Sequence, residues 1–128
     1  MDLLVDTCTA LWYWGGDKRL SAQAEAALRD PGNELWFHQI SYLEITIKYS
    51  LGKLSLKTSP ALLVPAAMER YQIRFTPLSN PDVARLESLP FHHRDPFDRI
   101  LISRALNRDW AVVTSDGIFK DYGVQVIW

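Results

Sequence analysis

At 128 residues and 14.7 kDa, with 48% hydrophobic and 23% charged residues, the chain has the size and composition of one globular domain, which excludes a disordered segment. Its net charge of −1 argues against a uniformly basic nucleic-acid binder, although the rest of the surface becomes net positive if four acids are committed to cations. Cys8 is the only cysteine, so no internal disulfide can form; the acidic start without a basic leader and the lack of a long apolar run set the expectation of a cytoplasmic protein with no membrane association.

In chain order, Leu3-Leu4-Val5 reads as a short buried strand closed by Asp6, and Thr7 to Trp14 as a helix ended by Gly15-Gly16. Ser21 is placed to N-cap a helix over AQAEAALR, which Asp30-Pro31-Gly32-Asn33 stops. Leu35 to Ile40 is a second strand, and Ser41 opens a helix to about Ser50, with Gly52 as its stop. Pro60 and Pro65 bracket a stretch without a clear pattern, but Ala61 to Tyr71 reads as mostly helical, and Ile73-Arg74-Phe75 forms a third strand. Pro81 opens a small helix that ends before Pro90. Pro96 to Asn107 is a helix whose Ile100, Leu101, Ala105 and Leu106 face the core. Ala111 to Thr114 and Val124 to Trp128 are the last two strands. Strands alternate with helices and no tight hairpin joins two of them, which predicts an α/β domain: a central, mostly parallel sheet of about five strands with helices on both faces.

Five acids stand at element ends. Asp6 closes the first strand, where it can N-cap the next helix. Glu44 lies three residues after Ser41, the spacing of a capping box. Asp95 precedes Pro96 as an N-cap would, and Asp98 falls in the same first turn. Asp116 ends "VVTSD" after the fourth strand, as a turn residue would. Each has a structural reading when taken singly. Together they fall at the carboxyl ends of parallel strands and the first turns of neighbouring helices, where open α/β sheets bind ligands. Carboxylates gathered there repel one another, and a hard divalent cation relieves the repulsion; an oxygen-rich set selects Mg²⁺ or Mn²⁺ over zinc.

The segments "LLVDT", "ISYLEITIKYSLGKL", "HHRDPFDRILISRAL", "AVVTSD" and "YGVQVIW", in this order and spacing, resemble PIN-domain ribonucleases over nearly the whole length, and more narrowly the VapC-type toxins of toxin–antitoxin pairs. The resemblance implies a single three-layer PIN-like domain over 1–128. It implies catalytic, metal-binding acids at Asp6, Glu44, Asp98 and Asp116, with Asp95, Thr7 and Ser115 in supporting roles, Asp95 as a cap. It implies Mg²⁺- or Mn²⁺-dependent hydrolysis of RNA phosphodiesters, in which the cation activates water and steadies the leaving oxygen. A VapB-like antitoxin that lays a tail over the active-site groove, and a homodimer, are the partners it implies.

For RNA contact, Arg94, Arg99 and Lys48 are the candidates, with Arg104 and Lys53 nearby; Lys48 is also four residues after Glu44 and can pair with it along the helix. The His92-His93 pair has no further ligand at zinc spacing, so zinc is not expected. His38 is expected to be packed and Cys8 to be a small buried residue. Most of the fifteen aromatics are expected in the core, the others at an interface. Two rival readings stand beside the nuclease: an inert PIN-like scaffold that only binds a partner, and a phosphotransfer domain using Asp6 as phosphoacceptor. The latter lacks the second Asp or late-strand Lys such domains use.

Overall fold

A computed structural model describes residues 1–128 of the chain. Strand β1 (Asp2–Val5) is followed by helices α1 (Thr7–Gly15) and α2 (Ala22–Arg29), strand β2 (Glu34–His38), helices α3 (Gln39–Ser50) and α4 (Pro60–Arg70), and strand β3 (Ile73–Thr76). Helices α5 (Asn80–Leu86) and α6 (Pro96–Arg108), strand β4 (Ala111–Val113), a 3-10 helix (Gly117–Tyr122) and strand β5 (Val126–Ile127) complete it. No helix is long and apolar enough to cross a membrane.

The five strands form one sheet in the order β3-β2-β1-β4-β5, every pair parallel. Side chains alternate across it with the period of two that strands impose. Leu3, Val5, Leu35, Phe37, Ala111 and Val113 enter one core with Tyr13 of α1, Leu28 of α2, Ile45 of α3 and Met68 of α4. Leu4 and Val112 enter the other with Leu101, Ile102 and Ala105 of α6 and Phe119 of the 3-10 helix. The expected three layers follow directly. The chain builds outward from β1 through β2 to β3, then returns to place β4 on the other side of β1. The crevice between β1 and β4 is thus the point where strand order reverses, at which such sheets take their ligands.

Local signals hold in most places. Ser21 caps α2 by accepting from the Ala24 N–H at 3.0 Å. Gly16 ends α1 in the left-handed region, φ +64°, which a residue with a Cβ rarely adopts. Three details differ. Helix α3 begins two residues early, because His38 rather than Ser41 caps it, its Nδ1 accepting from the Ile40 N–H at 2.9 Å. The expected capping box is therefore not built, and Ser41 lies fully buried within the helix. Pro65 sits inside α4, where Val64 and Met68 packing in the core carries the helix past the lost N–H. In α6 the core positions are Leu101, Ile102 and Ala105, while Ile100 and Leu106 are half-buried.

Candidate functional site

Asp6 ends β1 and performs two tasks. Its Oδ1 caps α1 by accepting from the Thr9 N–H at 2.7 Å, and its Oδ2 accepts a hydrogen bond from the Thr114 hydroxyl. Its own N–H donates to the Val113 carbonyl at 3.2 Å, which ties the end of β1 to the end of β4. Only 7% of Asp6 is exposed, and that burial pushes its carboxyl pKa above the usual 3.8, with Asp116 adding to the push while the bonds from Thr114 and Thr9 oppose it.

Glu44 enters from the second turn of α3 and is equally buried. Its Oε1 accepts from the Thr7 hydroxyl at 2.8 Å, a contact between the residue that opens α1 and a side chain 37 positions away. Its Oε2 takes the Lys48 ammonium at 2.6 Å, so Lys48 makes the helical pair open to it in the sequence.

Asp95 caps α6, its Oδ1 accepting from the N–H groups of Phe97 at 2.8 Å and Asp98 at 3.3 Å. Asp98, one turn in, points to the crevice. Its pKa is pushed from 3.8 to about 7 by burial first and the charge of Asp95 next, with smaller upward contributions from Glu44 and Asp6 and a downward one from His93. Asp116 opens the 3-10 helix: its Oδ1 accepts from the Ile118 N–H at 2.9 Å and its own N–H donates to the Thr114 hydroxyl at 3.0 Å.

The four expected acids and Thr7 are therefore assembled around the β1–β4 crevice. Two residues that sequence reasoning passed over belong with them. Thr114, not Ser115, joins Asp6 to Asp116; Ser115 is exposed. The pairing of Val5 with Val113 brings the residues that follow them, Asp6 and Thr114, side by side, so strand adjacency is the signal that finds it. His93 lies between Asp98 and Asp116, its Nε2 at 3.0 and 2.9 Å from their Oδ2 atoms. One donor atom from each of these three residues lies within 4.8 Å of the others.

Other expectations need correction. Arg99 is 6% exposed, and its guanidinium donates to the carbonyls of Leu86, Leu89, Pro90 and His93, so it fastens the 86–93 loop and has no face for RNA. Arg104 is also buried, paired with the fully buried Asp82 at 3.2 Å and bonded to the Pro77 carbonyl. Both point into the ground between α6 and the segments over it, which helical periodicity alone does not identify as interior. Arg94 and Lys53 are exposed. Cys8 is exposed instead of buried; partial burial of its thiol, then the charges of Asp6 and Glu44, raise its pKa. His38 is fully buried, as expected. A cleft of about 660 Å³ lies elsewhere, at the amino ends of β2 and β3 beside Arg29, Glu34, Arg70 and Arg74, and contains none of the converging acids.

The site is chemically suited to a divalent cation. It offers carboxylate oxygens from four separate elements, two of them nearly dry; burial first, then neighbouring carboxylates, raises the pKa of Asp98 and Asp6, and a divalent cation would offset both costs.

Comparison with known proteins adds the following. The family model for the PIN domain matches residues 3–125. No curated protein matches the chain. Among solved structures, the chain is similar to one in the VapBC2 complex of Rickettsia felis bound to a DNA fragment from its promoter, with 14% identity, a TM-score of 0.70, and 98% of this chain and 97% of that one covered. It is similar to a chain of VapBC-1 from nontypeable Haemophilus influenzae, with 15% identity, a TM-score of 0.64, and 98% and 96% covered. It also resembles a chain of FitAcB from Neisseria gonorrhoeae, with 18% identity, a TM-score of 0.59, and 97% and 95% covered.

Proposed function

Since the chain belongs to the PIN domain family, we propose that it is a divalent-cation-dependent endoribonuclease and the toxin of a VapBC-type toxin–antitoxin pair. The observation that carries this reading is the convergence of Asp6, Glu44, Asp98 and Asp116 at the point where strand order reverses. These four would hold Mg²⁺ or Mn²⁺, and the cation, when bound, supplies water activation and charge stabilisation at a phosphodiester.

The chain's own groups have separable tasks. The Thr114 hydroxyl and the Thr9 N–H fix the rotamer of Asp6, and the Thr7 hydroxyl fixes that of Glu44, so two donors are oriented before any ligand arrives. Lys48 holds Glu44 Oε2 in the cation-free state; its half-exposed ammonium can swing toward solvent or a backbone phosphate when a cation takes that oxygen. Arg94 is the exposed basic side chain nearest Asp95 and Asp98 in the chain, and of the expected RNA-backbone contacts on this side we keep Arg94 and drop the buried Arg99.

For partners, Leu43 and Ile47 of α3 and Leu51 at its C-cap recur every four residues and are 48%, 39% and 62% exposed. Such a stripe suits a second copy or an antitoxin helix better than the exposed aromatics expected from sequence, since among those only Tyr49 and Phe91 stand out from the surface. Two of the similar structures are VapBC complexes, pairs of the kind the sequence resemblance implies.

The test uses partner-free protein, a panel of structured and single-stranded RNAs, and Mn²⁺. Cleavage is expected, to be abolished by EDTA and by Asp6→Asn or Asp98→Asn. RNA left intact by folded, Mn²⁺-loaded wild type across the panel would refute the nuclease and favour the scaffold reading.

A further inference from the structure

We propose that His93 is a positioning residue: a neutral imidazole that donates its Nε2–H to both Asp98 and Asp116, aligning two carboxylates for a cation that it does not itself ligate. This rests on the cation-binding reading above.

The argument begins at the other ring nitrogen. Nδ1 lies 3.1 Å from the Asp95 backbone nitrogen, whose N–H can only donate. Nδ1 must therefore present its lone pair, and in a neutral imidazole the proton then resides on Nε2. Nε2 faces two acceptors, Asp98 Oδ2 at 3.0 Å and Asp116 Oδ2 at 2.9 Å. An Nε2–H shared between two carboxylates satisfies all three groups. An Nε2 lone pair aimed at a cation would require a proton on Nδ1, pressed against the Asp95 N–H. Proximity alone groups His93 with Asp98 and Asp116 as three donors, but the backbone fixes the tautomer that cannot ligate.

The ring is also held rigidly. The His93 N–H donates to the Tyr122 hydroxyl at 2.7 Å, and that hydroxyl donates to the Pro90 carbonyl at 2.6 Å. Arg99 donates to the His93 carbonyl at 3.2 Å and to Pro90 at 2.8 Å. The imidazole meets Phe119 edge-on, with centroids 6.1 Å apart, and 13% of its side chain is exposed. The buried Arg99 and the half-buried Tyr122 thus gain a purpose beyond closing a loop: they install a donor between α6 and the 3-10 helix.

The consequence for the site is specific. Asp98 and Asp116 come from separate elements, and their carboxylates repel each other once both are ionised. One shared N–H draws their Oδ2 atoms together and sets both planes, while lone pairs remain on each carboxylate for a cation. Loss of such an orienting partner typically weakens metal affinity roughly 10–100-fold.

The experiment has three arms on the full chain. In cation-free wild type, ¹H–¹⁵N spectra of the histidine ring should report a protonated Nε2 and a bare Nδ1; the opposite tautomer overturns the proposal. In Mn²⁺ titrations followed by electron paramagnetic resonance, His93→Ala should bind about 10–100-fold more weakly than wild type, and His93→Gln, whose amide can still donate, should recover much of the loss. Equal affinity of His93→Ala and wild type overturns the role. Pulsed resonance on Mn²⁺-loaded wild type should show no directly ligated nitrogen; a strong ¹⁴N coupling that vanishes in His93→Gln would make His93 a ligand and refute the assignment. If His93→Ala does not fold, the ring spectrum and His93→Gln decide. Wild type that binds no Mn²⁺ removes the metal centre and this role together, whereas binding indifferent to His93 removes the role alone.

Discussion

Acidifying the cation-free protein sets a buried group and a partly buried one against each other. His38 is fully buried, and burial first, then the nearby Arg104 guanidinium, pushes its pKa from 6.5 down to about 4, with Asp82 pulling weakly the other way. The folded chain therefore refuses a proton that the unfolded chain accepts between those values. Stability contributed by neutral His38 is complete above pH 6.5 and is lost as the pH falls toward 4. At 1.36 kcal/mol per pH unit, the full gap amounts to about 3 kcal/mol. Asp98 has the opposite sign. Burial and Asp95 push its pKa from 3.8 up to about 7, so the folded chain keeps a proton that the unfolded chain has released, and stability is lost as the pH rises from about 4 to about 7. Its side chain is 25% exposed, and solvent screening reduces its share to about 2 kcal/mol. In wild type the two nearly cancel across this window. His38→Asn keeps an acceptor at the α3 cap but cannot titrate, so only the Asp98 share remains and its stability should fall by about 2 kcal/mol between pH 4.5 and 7, where wild type's profile is flatter. Asp98→Asn should show the reverse slope. Urea unfolding in EDTA at pH 4.5, 5, 6 and 7 measures all three, and the differences between variants remove the contribution of other groups. A His38→Asn profile parallel to wild type would refute the account of His38 as a buried neutral cap.

Arg99→Ala strips the donor from four carbonyls and should cost about 3–5 kcal/mol in urea unfolding; unchanged stability with weaker RNA binding would restore its reading as a phosphate contact. Asp95→Asn should cost about 1 kcal/mol or less as a cap change and retain more cleavage activity than Asp98→Asn, and equal activity losses would show that the two acids had been given each other's roles. Because Asp98 holds a proton up to about pH 7, Mn²⁺ affinity measured by calorimetry should rise about tenfold per pH unit below neutrality and level off above it, with proton release on binding; a pH-independent affinity would show that Asp98 does not meet the cation.

Much of the fold was legible because its signals are local. Strand and helix periodicity, the Ser21 cap and the Gly16 stop depend on residues a few positions apart. The errors concern long-range neighbours. Ser41 matches a capping box, yet pairing of β2 with β3 as far as His38 and Thr76 lets His38 take the cap first. Arg99 and Arg104 look like exposed cations on a helix, and their burial is set by the 77–90 segment lying over α6. Cys8 looks like core and faces outward.

The order of residues alone determined that acids would stand at strand ends and helix starts, because chain reversal and capping favour them there, and alternating strands and helices made a parallel sheet with its candidate site at those ends. Only the tertiary structure decided that Thr114 would clamp Asp6, that Lys48 would hold Glu44, and that His93 would come between Asp98 and Asp116 with its proton directed by a backbone N–H. Hydrogen-bond partners and desolvation are properties of groups that meet across tens of residues, and no local pattern carries them.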